Sequence, residues 1–144
     1  MPASVLRGFA RSLFAAERAE TPARRGLGEP LEGDQGRCLV AGEWNSAIYG
    51  PLAAVVEPAD LHCAKNRMSG LWTPSQPLWK AMEAKEFRTL FFAGVNTDQC
   101  VLGTLGDAYN AGWDCVLLDD CVATTTPGAR EVCLHNISVS GLRC

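Results

Sequence analysis

Apolar residues follow two different periods along the chain, and both are clearest after residue 60. The continuous apolar run TLFFAGV at 89–95 is typical of a strand buried on both faces, and CVLLDDC at 115–121 predicts the next buried strand. DLHCAK at 60–65 predicts a shorter strand before them. Strands that alternate with helices pair in parallel through right-handed crossovers. We therefore predict an α/β fold, a three-layer α/β/α sandwich around a mainly parallel sheet.

Between and after these runs, apolar positions recur with the helical period of 3.6 residues. Helices are predicted at 77–87, 98–111 and 124–137. Thr73 with Pro74, or Ser75, is expected to cap the first of them, and Gly112 stands where the second should end. The inward face of the second helix is predicted to comprise Val101, Leu102, Leu105 and Ala108.

The segment before residue 36 lacks an apolar strand. Its apolar positions, among them Phe9 and Phe14, predict one helix through about residue 19, and the two prolines and four glycines of residues 21–36 predict a loop. We therefore divide the chain into an N-terminal helix and irregular loop, 1–35, and a domain, 36–144. A mitochondrial presequence is an alternative for the arginine-containing helix, although Glu17 and Glu20 argue against it.

Composition narrows the class of protein. The chain has 144 residues, enough for one domain, and a net charge of -3, which favours neither nucleic acid nor a membrane as a partner. No apolar stretch is long enough to span a bilayer. The seven cysteines form no C-x-x-C pair and only two histidines accompany them, so we expect reduced thiols in the cytoplasm, with no zinc site and no disulfide framework.

One cysteine stands at a position suited to chemistry. In AGVNTDQCVLG, Cys100 follows a predicted buried strand and opens the next predicted helix. Ligands of open parallel sheets bind beyond the carboxyl ends of the strands. The free amides and the dipole of a helix N-terminus favour a thiolate and can hold an oxyanion. The alternative is a small hydrophobic residue that packs the turn.

Several stretches together resemble the isochorismatase-like cysteine hydrolases, a family that includes nicotinamidases, N-carbamoylsarcosine amidohydrolase, biuret hydrolases and isochorismatases. The resemblance extends from about residue 36 to 134 and rests on GVNTDQCV, DAYNAGWDCVLLDDC, TTTP, GRCLVAGEWNSAIYGPL and AKNRMSGLW. It implies an α/β sandwich and a cysteine nucleophile. The implied reaction is hydrolysis of a C–N bond in a small amide or ureide through a thioester, without a cofactor.

The resemblance also implies roles for individual residues. Cys100 would be the nucleophile and Lys65 the lysine of the family's Asp-Lys-Cys triad. A cis peptide bond is expected between Val95 and Asn96, and the backbone N–H groups of Asn96 and Cys100 would form the oxyanion hole. Apart from the resemblance, Trp72 is a candidate for lining the substrate pocket because it follows closely after Lys65, with core packing as the alternative.

The sequence departs from the family at both ends. No Asp precedes Asp34, which lies in a polar loop, so neither the family's catalytic aspartate nor the first strand that would carry it is found. Some relatives bind a metal, but no ligand set for one is identifiable here. The leading hypothesis is an amidohydrolase that acts on a small molecule and that can form homo-oligomers. The absence of the aspartate leaves two alternatives to this hypothesis. One is an inactive truncated homologue that serves as a binding or oligomer partner, and the other is a thiol redox sensor at Cys100.

Overall fold

The computed structural model describes residues 8–12 and 28–140. The chain forms two compact units, Met1–Asn66 and Arg67–Cys144, and the predicted boundary between residues 35 and 36 stays a prediction. None of the helices within the described ranges combines the length and apolarity that a membrane span requires. The described elements are, in order, β1 (Gly8–Ser12), a 3₁₀ turn (Trp44–Ser46), α1 (Gly50–Ala53), β2 (Leu61–Lys65), α2 (Pro77–Ala84), β3 (Thr89–Val95), a π-helical turn (Thr97–Val101), α3 (Leu102–Asn110), β4 (Asp114–Ala123) and α4 (Ala129–Val139).

The first unit contains a parallel pair of strands. β1 runs beside β2, with Gly8 opposite Leu61 and Ser12 opposite Lys65. The strand at β2 confirms the prediction for residues 60–65. The helix predicted through residue 19 is wrong at Gly8–Ser12, because these residues form a strand. The prediction that this segment contains no strand is therefore also wrong. The rest of the predicted helix lies outside the described residues. β1 is stabilised by hydrogen bonds to a strand about fifty residues away in the sequence, and the local pattern of apolar residues cannot reveal such a distant partner.

The second unit is built around a second parallel pair, β3 and β4, with α3 as the connection between them. Side chains from β4, α3, α4 and the loop before α2 form one buried cluster. Its buried members are Leu71, Val101, Leu105, Ala108, Cys115, Leu117, Val122 and Ile137. Strand, helix and parallel strand in succession confirm the predicted α/β class.

β3 was predicted to be buried on both faces, and this is wrong. Leu90 and Phe92 are half-buried against the cluster, whereas Phe91 is 67% exposed and Val95 66% exposed. Successive side chains of a strand point to opposite faces. The face of β3 that carries Phe91 and Val95 is therefore exposed to solvent.

β4 is longer than predicted and contains a large bulge. Phe92 lies opposite Leu117 and Gly94 opposite Val122, so Ala93 alone faces the four residues 118–121. Asp119 and Asp120 lie inside this bulge. The bulge separates a lower ladder, which packs on the core, from a short upper ladder that leads toward Cys100.

Gly112 ends α3 as predicted. It has a φ of +94°, and its N–H donates to the Tyr109 carbonyl at 3.0 Å while the N–H of Trp113 donates to the Ala108 carbonyl at 3.1 Å. These two bonds define a Schellman cap, in which glycine adopts the left-handed conformation without steric cost. The cap predicted for α2 is wrong: the N-cap is Gln76, directly before Pro77, which begins the helix.

α2 ends in the same motif with a glutamate in place of glycine. Glu86 has a φ of +53°, and Phe87 donates its N–H to the Met82 carbonyl at 3.3 Å. A left-handed conformation costs a residue with a Cβ about 1 kcal/mol. We expect Glu86→Gly to raise the free energy of unfolding by about 1 kcal/mol in urea denaturation. Lys85→Gly is the control, because Lys85 is right-handed, and it should give no gain; equal gains would contradict the explanation.

Candidate active site

The turn that carries Cys100 begins where β3 ends. Gly94 adopts a φ of +121°, which only glycine tolerates well, and the peptide bond between Val95 and Asn96 is cis. The Asn96 carbonyl then accepts the N–H of Gln99 at 3.1 Å and that of Val101 at 3.3 Å. The second bond closes a π-helical turn, Thr97–Val101, whose fourth residue is the half-buried Cys100. Such turns are frequent at functional sites.

A buried threonine fixes the backbone at Cys100. The Thr104 hydroxyl donates to the Cys100 carbonyl at 2.7 Å and accepts the N–H of Gly70 at 3.0 Å. Thr104 is buried on α3. Through these two hydrogen bonds, one hydroxyl on α3 links the turn that carries the thiol to the loop before α2. The sequence pattern gave no signal for this contact, because Gly70 and Thr104 are 34 residues apart.

A second contact joins the same turn to the segment after β4. Asp98 accepts a hydrogen bond from the Thr124 hydroxyl at 2.5 Å. This bond lowers the pKa of the Asp98 carboxyl, desolvation partly opposes it, and a hydrogen bond from Thr126 lowers the pKa further. The carboxylate form of Asp98 therefore holds the turn to the end of β4.

We expect Thr124→Val to lower the thermal midpoint of unfolding at pH 7. A carboxyl whose pKa is depressed in the folded state stabilises the protein above its unfolded pKa of about 3.9, and this stabilisation is lost as the pH falls through the folded value. The difference between wild type and Thr124→Val should therefore shrink below about pH 4. Thermal unfolding followed from pH 7 to pH 3 measures it. Thr125→Val, at an exposed neighbour, is the control, and a difference that persists at pH 3 would contradict the role of Asp98.

Lys65 is the last residue of β2, in the first compact unit, and its side chain is only 5% exposed. A single lysine after a short strand would ordinarily be assigned to the solvated surface, so its burial is information that only the structure supplies. A buried ammonium group requires polar or charged neighbours. Its catalytic role stays a prediction.

Trp72 is 44% exposed, so core packing is not its environment. The guanidinium carbon of Arg67 lies 5.3 Å from the centroid of its ring. This is the geometry of a cation–π contact. Sequence reasoning named Trp72 and missed Arg67, whose only signal was its place five residues earlier in the same loop.

Four of the other cysteines are unsuited to nucleophilic chemistry at neutral pH. Burial raises the pKa of the thiols of Cys63, Cys133 and Cys115, to about 11 for Cys115, where a neighbouring carboxylate contributes. A hydrogen bond and the negative charge of Asp120 raise the pKa of Cys121. Cys115 and Cys133 are buried, whereas Cys121 is exposed.

Metal ligation finds no support in the described part of the chain. Among residues 28–140, no three His, Cys, Asp or Glu side chains are grouped as a metal ion would require. His62 and His135 are both exposed. No chemical step is therefore assigned to a metal ion.

Comparison with known proteins identifies the fold and the family. A family model described as the isochorismatase domain matches residues 12–143, a range that includes both Lys65 and Cys100. The ureidoacrylate amidohydrolase RutB of Methylorubrum extorquens is 35% identical over 102 residues, which are 70% of this chain and 40% of that protein. The chain thus spans less than half the length of the curated relatives that it matches.

Solved structures of the same fold are also similar. Nicotinamidase PncA from Bacillus subtilis superposes with a TM-score of 0.73 and 23% identity, covering 96% of this chain and 74% of that one. An isochorismatase family protein from Desulfovibrio vulgaris gives a TM-score of 0.76 and 20% identity, covering 96% and 70%. At these identities the likeness establishes the α/β fold.

Proposed function

From the premise that the chain belongs to the isochorismatase family, we propose that it hydrolyses a C–N bond in a small amide or ureide, with Cys100 as the nucleophile. The names of its relatives support this reaction class, since one is an amidohydrolase of ureidoacrylate and another a nicotinamidase. The substrate is a small molecule, and no cofactor takes part in the scheme.

The observation that carries the proposal is the position of Cys100. Its thiol follows the carboxyl end of a parallel strand, where ligands of α/β sheets bind. The turn around it is held by contacts from Thr104 and Thr124. A nucleophile needs such fixed placement, because small displacements of reacting groups reduce rates strongly.

The reaction proceeds in two halves. The thiolate sulfur of Cys100 adds to the substrate carbonyl carbon, and the oxyanion that forms accepts hydrogen bonds from the N–H groups of Asn96 and Cys100. Collapse of this intermediate breaks the C–N bond, and the leaving nitrogen takes up the proton that the Cys100 thiol lost, so that the amine or ammonia departs. Water then adds to the thioester, and the C–S bond breaks to give the carboxylic or carbamic acid and the free thiol. The family resemblance alone assigns to Lys65 the positive charge that stabilises the thiolate.

A substrate panel tests the proposal. Nicotinamide, ureidoacrylate and simple ureides are offered to the purified chain, and ammonia release is measured together with the intact mass after acid quenching. We expect ammonia from at least one amide or ureide and a mass increase on the peptide that contains Cys100, which reports the thioester. Isochorismate, a vinyl ether, is the control and should remain intact. Hydrolysis of isochorismate alone would contradict the amide assignment.

A non-catalytic binding or oligomer partner is the second candidate. The observation that favours it is that no residue of the given sequence matches the aspartate of the family triad. The first Asp of the sequence is Asp34, which is exposed. In that case a panel member would raise the thermal midpoint of the chain without release of ammonia. Turnover of any panel member excludes it.

A further inference from the structure

We propose that Thr104 is a positioning residue for the nucleophile: its buried hydroxyl holds the backbone of Cys100 in the orientation that makes the thiol reactive. This inference rests on the proposed function, because it concerns the same nucleophile. It is carried by the two hydrogen bonds of Thr104, by the burial of its side chain and by the packed loop that supplies the Gly70 N–H.

The two hydrogen bonds of Thr104 leave its hydroxyl a single orientation. The Gly70 N–H can only donate, so the hydroxyl oxygen accepts at 3.0 Å and its own proton is directed at the Cys100 carbonyl, 2.7 Å away. Threonine in a helix divides between two χ1 rotamers, and the bond to the carbonyl four residues earlier selects between them. Thr104 is 8% exposed, so little water competes for either partner. The carbonyl of Cys100 is therefore held toward α3.

The loop that supplies the Gly70 N–H is itself fixed against α3. Its neighbours Ser69 and Leu71 are both buried, and the Leu71 N–H donates to the Ser69 hydroxyl at 3.0 Å. Leu71 also belongs to the buried cluster. A Cβ atom at Gly103 would lie 3.6 Å from the Met68 side chain, which is ordinary van der Waals contact. The loop therefore keeps the partner of the Thr104 hydroxyl in place.

The orientation of the Cys100 carbonyl affects the sulfur of the same residue. The N–H groups in the first turn of a helix stabilise a thiolate, whereas a carbonyl oxygen carries partial negative charge and opposes it. A carbonyl that accepts a hydroxyl proton has part of that charge compensated, and it cannot turn toward its own side chain without loss of a buried hydrogen bond. Without the Thr104 hydroxyl, we therefore expect less thiolate at neutral pH.

Alkylation of Cys100 by iodoacetamide tests this without the need for turnover. The thiolate sulfur displaces iodide to form a thioether, and peptide mass spectrometry gives the rate constant at pH 7 and at pH 9.5, where a thiol is largely ionised. We expect the ratio of the first rate to the second to fall about tenfold in Thr104→Val. Thr104→Ser, which retains the hydroxyl, should restore the ratio. Thr89→Val, the same substitution at the exposed start of β3, should leave it unchanged.

An unchanged ratio in Thr104→Val would overturn the role of Thr104, and so would a ratio in Thr104→Ser as low as in Thr104→Val. A further measurement uses the wild-type chain, so that misfolding of a variant cannot decide the result. Because its partner is a buried hydroxyl, the Gly70 amide should exchange with deuterium on the order of a hundredfold more slowly than in the urea-unfolded chain. Exchange at the unfolded rate would also overturn the proposal.

The proposed function fails by a different outcome. If the ratio for Cys100 in the folded wild-type chain equalled that in the urea-unfolded chain, the fold would not favour the thiolate, and Cys100 as the nucleophile would be contradicted. A ratio that is raised in the folded wild type but equal in the Thr104 variants would remove only the role of Thr104.

Discussion

Replacing Cys100 with serine should reduce hydrolysis of the best amide or ureide substrate by roughly 10³–10⁶-fold in kcat. Serine preserves the size of the side chain, but its hydroxyl ionises far less readily than a thiol, so the attack on the carbonyl carbon becomes slow. KM should change little, because substrate binding does not depend on the sulfur. Initial rates of ammonia release across a range of substrate concentrations separate the two parameters.

The matched control for this substitution is Cys121→Ser. Cys121 is exposed in the bulge of β4, and its pKa is raised by Asp120. Its replacement should leave kcat and KM unchanged. If Cys100→Ser kept more than a tenth of the wild-type kcat, covalent catalysis by Cys100 would be excluded. If both variants lost activity alike, the loss would reflect the fold and not the nucleophile.

The second large effect concerns stability. Leu117 is 1% exposed in the buried cluster, and Leu117→Ala should lower the free energy of unfolding by about 2–5 kcal/mol. The substitution removes apolar contacts and leaves a cavity at the centre of β4, where little rearrangement is available. Urea denaturation followed by circular dichroism measures the change.

Leu118 is the next residue along the same strand and provides the control. It is 36% exposed and lies at the start of the bulge. Leu118→Ala should cost no more than about 1 kcal/mol. Similar losses at both positions would mean that the face of β4 at Leu117 is not the core face.

Much of the second unit could be predicted from the sequence because its signals are local. The apolar run of 89–95 and the 3.6-residue period of 98–111 identify β3 and α3, and Gly112 marks the end of the helix. Each of these depends on residues within one element. The π-helical turn was not predicted, because nothing in the sequence distinguishes it from an ordinary first turn.

Two of the wrong predictions, those for β1 and for the faces of β3, involve partners distant in sequence. β1 was taken for a helix because Phe9 and its apolar neighbours also satisfy a helical period, and the partner that makes Gly8–Ser12 a strand lies in β2. The run TLFFAGV indicates a strand but not how many of its faces are covered, and Phe91 is exposed. Local patterns predict the type of an element better than its neighbours.

The residues of the candidate site also fall into those with a local sequence signal and those without one. Cys100 could be identified by its place after a strand, and the family resemblance added Lys65. Thr104, Thr124 and Arg67 could not be found, because a hydroxyl or a guanidinium has no local pattern that reveals a partner in another element. Their importance lies in contacts that form only when the loops and helices of the second unit come together.

The bulge in β4 has a consequence for how such a site can change during evolution. Residues 118–121 lie opposite Ala93 alone, outside the regular pairing of β3 and β4. An insertion or deletion there would change the length of the bulge, while the pairing of Thr89 to Phe92 with β4 kept its register. The segment of β3 that leads to Cys100 could then shift by small steps under selection for a new substrate, without loss of the packed interior.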